Sequence, residues 1–121
     1  MRRTFAVLEV ALWLLAAIPA GAHHAEFLYD MNNPVSLDGV VTKVEWGNPH
    51  VYLHVDVKGN AEAATWTLEL KSINSLKRDG WTTVTVKPGD RVTCTGGRAK
   101  GGARAMRCAT VTLTDGRKLK S

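Results

Sequence analysis

Hydrophobic and polar positions alternate along most of this chain, with a single interruption. In "SLDGVVTKVEW" the residues Val40, Thr42, Val44 and Trp46 alternate with Val41, Lys43 and Glu45, a strand periodicity. "HVYLHVDV" alternates more sharply. Val51, Leu53, Val55 and Val57 face inward, and His50, Tyr52, His54 and Asp56 face outward. "TWTLEL" sets Trp66, Leu68 and Leu70 on one face. The period then changes. Ser72 is placed to cap a short helix, Ile73 and Leu76 fall at i and i+3, and Gly80 ends it. "KPGD" is a turn, and "RVTCTGGR" and "ARAMRCATVTL" read as the last long strands. "TDGRKL" adds a turn and a short closing strand.

Three strands, a helix and two or more further strands in so short a chain is the order of an all-β, OB-fold-like Greek-key barrel. An immunoglobulin-like sandwich fits less well. The helix interrupts the strand series, and no Cys…Trp…Cys framework spans the domain.

The start of the chain has a different character. Arg2 and Arg3 precede an apolar run from Phe5 to Ile18, broken only by Glu9, and Pro19 leads into Ala20-Gly21-Ala22. This is the pattern of a signal peptide over residues 1–22. At roughly 14 residues, the run is shorter than the ~20 a spanning helix needs. Cutting after Ala22 places small residues at both recognition positions, so the mature chain is expected to begin at His23 and to have no membrane span. Residues 23–36 are read as an N-terminal extended segment and 37–121 as the barrel domain. The expected location is the periplasm or the medium.

Export changes the reading of Cys94 and Cys108, the chain's two cysteines, because an oxidising compartment lets them pair. "TGGRAKGGARAMR" lies between them, and a hairpin centred near Gly101 sets them directly opposite, at disulfide separation. A zinc site is poorly supported, since the spacing is not C-x-x-C and no histidine is close.

The order "HH", "NNPVSLDGVVTKVEWGNPHVYLHVDV", "WTLEL", "RDGW", "KPGDRVTCTG", "DGRKL" resembles a family of small secreted bacterial proteins of unknown function. Its most specific element is Trp46-x-Asn48-Pro49-His50 joined to the N-terminal His-His, which Ala25-Glu26-Phe27 follows only loosely. The resemblance implies export and a fold, not a chemistry. The cysteine pair lies outside its pattern.

Common catalytic signatures are absent: there is no H-E-x-x-H, G-x-S-x-G or Walker loop. Glu26 and Asp30, the carboxylates nearest the first histidines, have no evident pairing partner in the sequence. No enzyme is indicated. The histidines carry the remaining chemistry, and all four lie between His23 and His54. An N-terminal histidine offers its α-amine as well as its ring, and a second imidazole completes a planar set of three nitrogens, which suits Cu(II) or Ni(II). His23, His24 and His50 are the candidate ligands. His50 follows Pro49, which stiffens the entry to its strand, and Asn48, which can bond neighbouring backbone. His54 lies four residues on, roughly 13 Å along an extended strand, too far to share an ion with His50. Met31 and Met106 are either soft ligands or core filling. A cut one residue earlier would place His24 third, a separate amino-terminal motif independent of His50.

Charge supplies a second class of reading. Residues 23–86 hold five basic and eight acidic residues, a net of −3, whereas residues 87–121 hold nine and two, a net of +7. The last hairpin is expected to present Arg98, Lys100, Arg104 and Arg107 as a basic tip. With the Tyr52/His54 face, this describes a non-catalytic cell-envelope binding module for an anionic polymer or partner protein. Nucleic acid is not favoured, because the aromatics that stack single strands are few. The leading expectation is an exported copper-binding protein.

Overall fold

The computed structural model describes residues 27–59 and 64–121. The expected leader, Glu26, His23 and His24 lie outside the described residues. The elements are β1 (Val35–Glu45), β2 (Tyr52–Val57), β3 (Ala64–Glu69), α1 (Ile73–Arg78), β4 (Arg91–Arg98), β5 (Ala105–Thr112) and β6 (Lys118–Lys120). They form one sheet in the order β3-β2-β1-β4-β5-β6, and a β3–β5 pairing closes five strands into a barrel. That closing pair is parallel while the other neighbours are antiparallel. The all-β barrel expected from the alternation is the fold. Among the described residues no helix is long and apolar enough to cross a membrane.

The core is built by the inward half of each strand: Val41, Leu53, Val55, Trp66, Leu68, Val92, Cys94, Met106, Cys108 and Val111 are all buried. Met106 therefore fills the core. The short helix plugs one end with Leu76. Ser72 caps it by accepting from the Ser75 amide, and Gly80 ends it at φ 93°, a conformation glycine adopts without a Cβ penalty.

Two expectations, the unbroken alternation of β1 and the opposition of the cysteines, need correction. In β1 the ladder shifts between Val41 and Lys43, because Thr42 is an extra residue. Val41 faces the core with Val44 after the bulge, whereas Val40 belongs to the other face; unbroken alternation would keep Val40 and Val44 together against Val41. A β-bulge flips the phase of every later side chain. The second correction concerns the cysteines. They do form a disulfide, with Cα atoms 5.5 Å apart, but they are not directly opposed. Cys94 faces Val111 and Cys108 faces Gly96, with a register shift between Thr95 and Gly96. Two inward-pointing side chains meet diagonally across that shift. At Gly96 a Cβ would lie 1.9 Å from the Arg107 carbonyl oxygen, so only glycine fits.

Ahead of β1, the residues around Tyr29 form a strap along the β4–β5 hairpin. Tyr29 makes an antiparallel bridge with Ala99. The Asp30 amide donates to the Arg98 carbonyl and the Lys100 amide to the Leu28 carbonyl, both at 2.9 Å. The approach is close enough that a Cβ on Gly97 would lie 2.7 Å from the Asp30 carbonyl group.

Candidate functional site

The closing of the barrel aligns three polar residues across its outer wall. Tyr52 on β2 is the ladder partner of Glu69 on β3, and Glu69 is the partner of Arg107 on β5. Alternation explains why Glu69 points outward, between inward Leu68 and Leu70. It does not explain why Glu69 is only 9% exposed. The strap does: Tyr29 lies over this wall and its phenol hydrogen-bonds the Glu69 side chain.

His50 reaches the same place from the loop before β2. The Asn48–Pro49 peptide is cis, and Asn48 Oδ1 accepts the Ile73 amide at 3.3 Å, tying the loop to the start of α1. Two main-chain bonds then hold Val51, to the Lys71 carbonyl and from the Leu70 amide. The ring is thereby set beside Leu70, with Nδ1 2.9 Å from the Leu70 carbonyl oxygen. A carbonyl can only accept, so Nδ1 carries the proton. The other nitrogen, Nε2, lies 3.4 Å from Glu69 Oε1, and Tyr52 meets the ring edge-on at 6.4 Å.

The electrostatics follow from burial around one carboxylate. Desolvation first, and then its hydrogen bond to Glu69, push the Tyr29 phenol far above its ordinary value. Burial raises Tyr52 as well, with the Glu69 charge as the next cause. Both are neutral phenols at physiological pH, and Tyr29 is a donor. Burial lowers the Arg107 guanidinium, opposed by the Glu69 charge. Arg107 donates to the Glu69 main-chain carbonyl at 3.1 Å.

The other expected residues separate into different places. His54 is committed to neighbours, with Nε2 2.8 Å from Glu45 Oε2 and Nδ1 3.4 Å from Thr67 Oγ1. Its hydrogen bond, with help from Lys43, holds the Glu45 carboxyl below the usual range. Tyr52 and His54 share the outer face of β2 but serve different carboxylates. Lys100 and Arg104 are exposed at the hairpin tip, and Arg98 stacks over Trp66 at 4.8 Å from the ring centroid. Arg107 is not part of the tip; it sits on the wall beside Glu69. Asp30 accepts from the Asn33 side chain at 3.1–3.2 Å and so closes a turn. Met31 lines a concavity of about 380 Å³ with Phe27, Tyr29, Asn32 and Lys100. Phe27 and Leu28, just before, are 77% and 58% exposed.

Among the described residues no group of three or more His, Cys, Asp or Glu side chains is arranged to hold a metal. Of these residue types, His50 and Glu69 meet at the wall; residues 23 and 24 lie outside the described residues. The reading of candidates by histidine content missed Glu69 and Tyr29. The outward position of Glu69 was legible in "TWTLEL", but its enclosure was not, because the cover comes from a distant part of the chain.

No curated protein matches this chain. A family model matches residues 12–107, a span that takes in His23, His24, the Trp46–His50 segment and the wall residues Tyr52, Glu69 and Arg107, and on that match the chain belongs to the family of unknown function DUF6152.

Proposed function

We propose that this is an exported protein that binds a divalent transition metal, copper as Cu(II), through the amine and ring of His23 together with His24 and His50. The carrying observation is the state of His50. Its Nδ1 is committed to the Leu70 carbonyl at 2.9 Å, which fixes the tautomer and leaves Nε2 as the nitrogen able to ligate. A hydrogen bond from the distal ring nitrogen to a carbonyl is the usual support of a metal-bound histidine. The strap supplies the second support. Tyr29 lies near Glu69, the carboxylate that His50 faces, and six residues of extended chain span at most roughly 20 Å. That chain length is what the proposed pairing of His23 with His50 requires.

The test begins with the first residue of the mature protein, read by mass spectrometry. Cu(II) titration followed by the visible band should then show tight one-to-one binding in wild type and His54→Ala and loss of that binding in His50→Ala. Equal, weak binding by all three would refute the reading. The exposed Lys100 and Arg104 at the hairpin tip support a second reading, a binding module for an anionic envelope polymer. That reading requires an affinity that collapses with added salt, since exposed charges are screened.

A further inference from the structure

We propose that the strap and the tip of the β4–β5 hairpin form a docking surface for an anionic lipid bilayer. Phe27 and Leu28 enter its interface, and Lys100 and Arg104 meet its headgroups. This rests on the second reading above, in which the tip binds an anion, and names the partner; it makes no use of the histidines.

Two large apolar side chains stand in water side by side. Phe27 and Leu28 are both exposed, whereas the other large apolar residues this open, Val35 and Val84, are single. Apolar residues scattered singly are ordinary on a surface, and contiguous ones mark interaction sites. The pair is tied down. The Leu28 carbonyl accepts the Lys100 amide at 2.9 Å, and Tyr29 bridges Ala99, so the strap holds Leu28 directly beside the hairpin tip. The concavity of about 380 Å³ opens at the same place, and its lining runs from Phe27 and Met31 to Asn32 and Lys100. Apolar and cationic groups share one recess.

Charge decides which partner this surface fits. Residues 27–33 and 98–104 hold three basic residues, Arg98, Lys100 and Arg104, and one acidic residue, Asp30, a net of +2. Lys100 and Arg104 are exposed, and so are Gly101, Gly102 and Ala103 between them. Those three carry almost no side chain, so a broad surface can approach the tip closely. A soluble polyanion would engage the cations and leave Phe27 and Leu28 in water. The interface of an anionic bilayer takes both, because apolar burial and attraction to headgroups add in binding there.

The experiment uses the mature protein, its first residue read by mass spectrometry, with a chelator present so that metal plays no part. Co-sedimentation is measured with vesicles of phosphatidylcholine alone and of phosphatidylcholine mixed with phosphatidylglycerol. Binding to soluble dextran sulfate is measured beside it. Wild type should bind the mixed vesicles and not the neutral ones. The double variant Phe27→Ser, Leu28→Ser should weaken that partition roughly 10–100-fold through lost apolar burial, with dextran sulfate binding unchanged. Arg104→Gln should weaken it roughly fivefold, the share of one basic residue near an anionic surface. All three positions are exposed, so the substitutions leave the core untouched. Bilayer docking is overturned if both kinds of vesicle bind equally or if the double variant matches wild type. If dextran sulfate binds and the mixed vesicles do not, docking is overturned and the anion reading stands. If neither binds, both fall. A direct readout needs no variant. Phe5 and Phe27 are the chain's two phenylalanines, so fluorine-labelled phenylalanine reports on Phe27 once residues 1–22 are removed. Broadening of its signal by a paramagnetic lipid in the mixed vesicles supports insertion, and an unbroadened signal overturns it.

Discussion

Replacing Gly97 with alanine should detach the strap and leave the barrel closed. An added Cβ would lie 2.7 Å from both the carbonyl carbon and the oxygen of Asp30, and 2.8 Å from the Met31 amide nitrogen. Ordinary contact starts at 3.4 Å, so the strap must retreat by about 0.7 Å or the β4 wall must yield. The wall is held by ladders on both sides of β4 and by the disulfide. The strap is held by fewer contacts: the two 2.9 Å main-chain bonds at Asp30 and Lys100, and the phenol of Tyr29 on Glu69. It is the strap that should move. At about 1 kcal/mol net per hydrogen bond, loss of the two main-chain bonds costs about 2 kcal/mol. For a domain of this size, that lowers Tm by roughly 8–16 °C. Calorimetry measures the stability, and amide hydrogen exchange locates the change at Asp30 and Lys100. Wild-type melting with both amides still protected would refute this account of the strap. The proposed copper site predicts that Cu(II) affinity falls as well.

Two further outcomes follow from the same packing. Replacing Cys94 and Cys108 together by alanine opens a loop of about 15 residues and should cost about 3 kcal/mol, read as a lower midpoint in urea; an unchanged midpoint would contradict it. The tyrosines set an alkaline limit. Both phenols are raised above 10.0 in the folded chain. Stability is therefore full below that unfolded value and declines as pH rises above it, because the unfolded chain releases the protons first. Absorbance at 295 nm near pH 10 should show less phenolate in the folded protein than in the unfolded chain, and an ordinary titration there would overturn the description of the wall.

The fold was legible because its determinants are local. The alternation in "HVYLHVDV" and "TWTLEL", the Ser72 cap, the Gly80 stop and the turn glycines each act over a few residues, and their order implied a barrel. Locality also explains the failures. The bulge at Thr42 arises in the pairing of β1 with β2, so the periodicity of β1 alone put Val40 and Val44 on one face, where the bulge separates them. The disulfide was legible from export and spacing, but the ladder offset at Gly96 was not, because it depends on the fit of a glycine against the opposite backbone.

By itself, the sequence determined which side chains are inward or outward within strands such as β2 and β3, where the helix starts and stops, and that His50 lies at a strand entry. Tertiary structure decided the rest of the candidate site. Closing β3 against β5 brought Arg107 beside Glu69 and away from the hairpin tip where its position in the sequence had placed it. The strap then covered Glu69, so that an outward carboxylate became a buried one facing His50. Whether a charged side chain is solvated or enclosed depends on what packs over it, and here that cover is brought from far along the chain by barrel closure, a distance that no local pattern encodes.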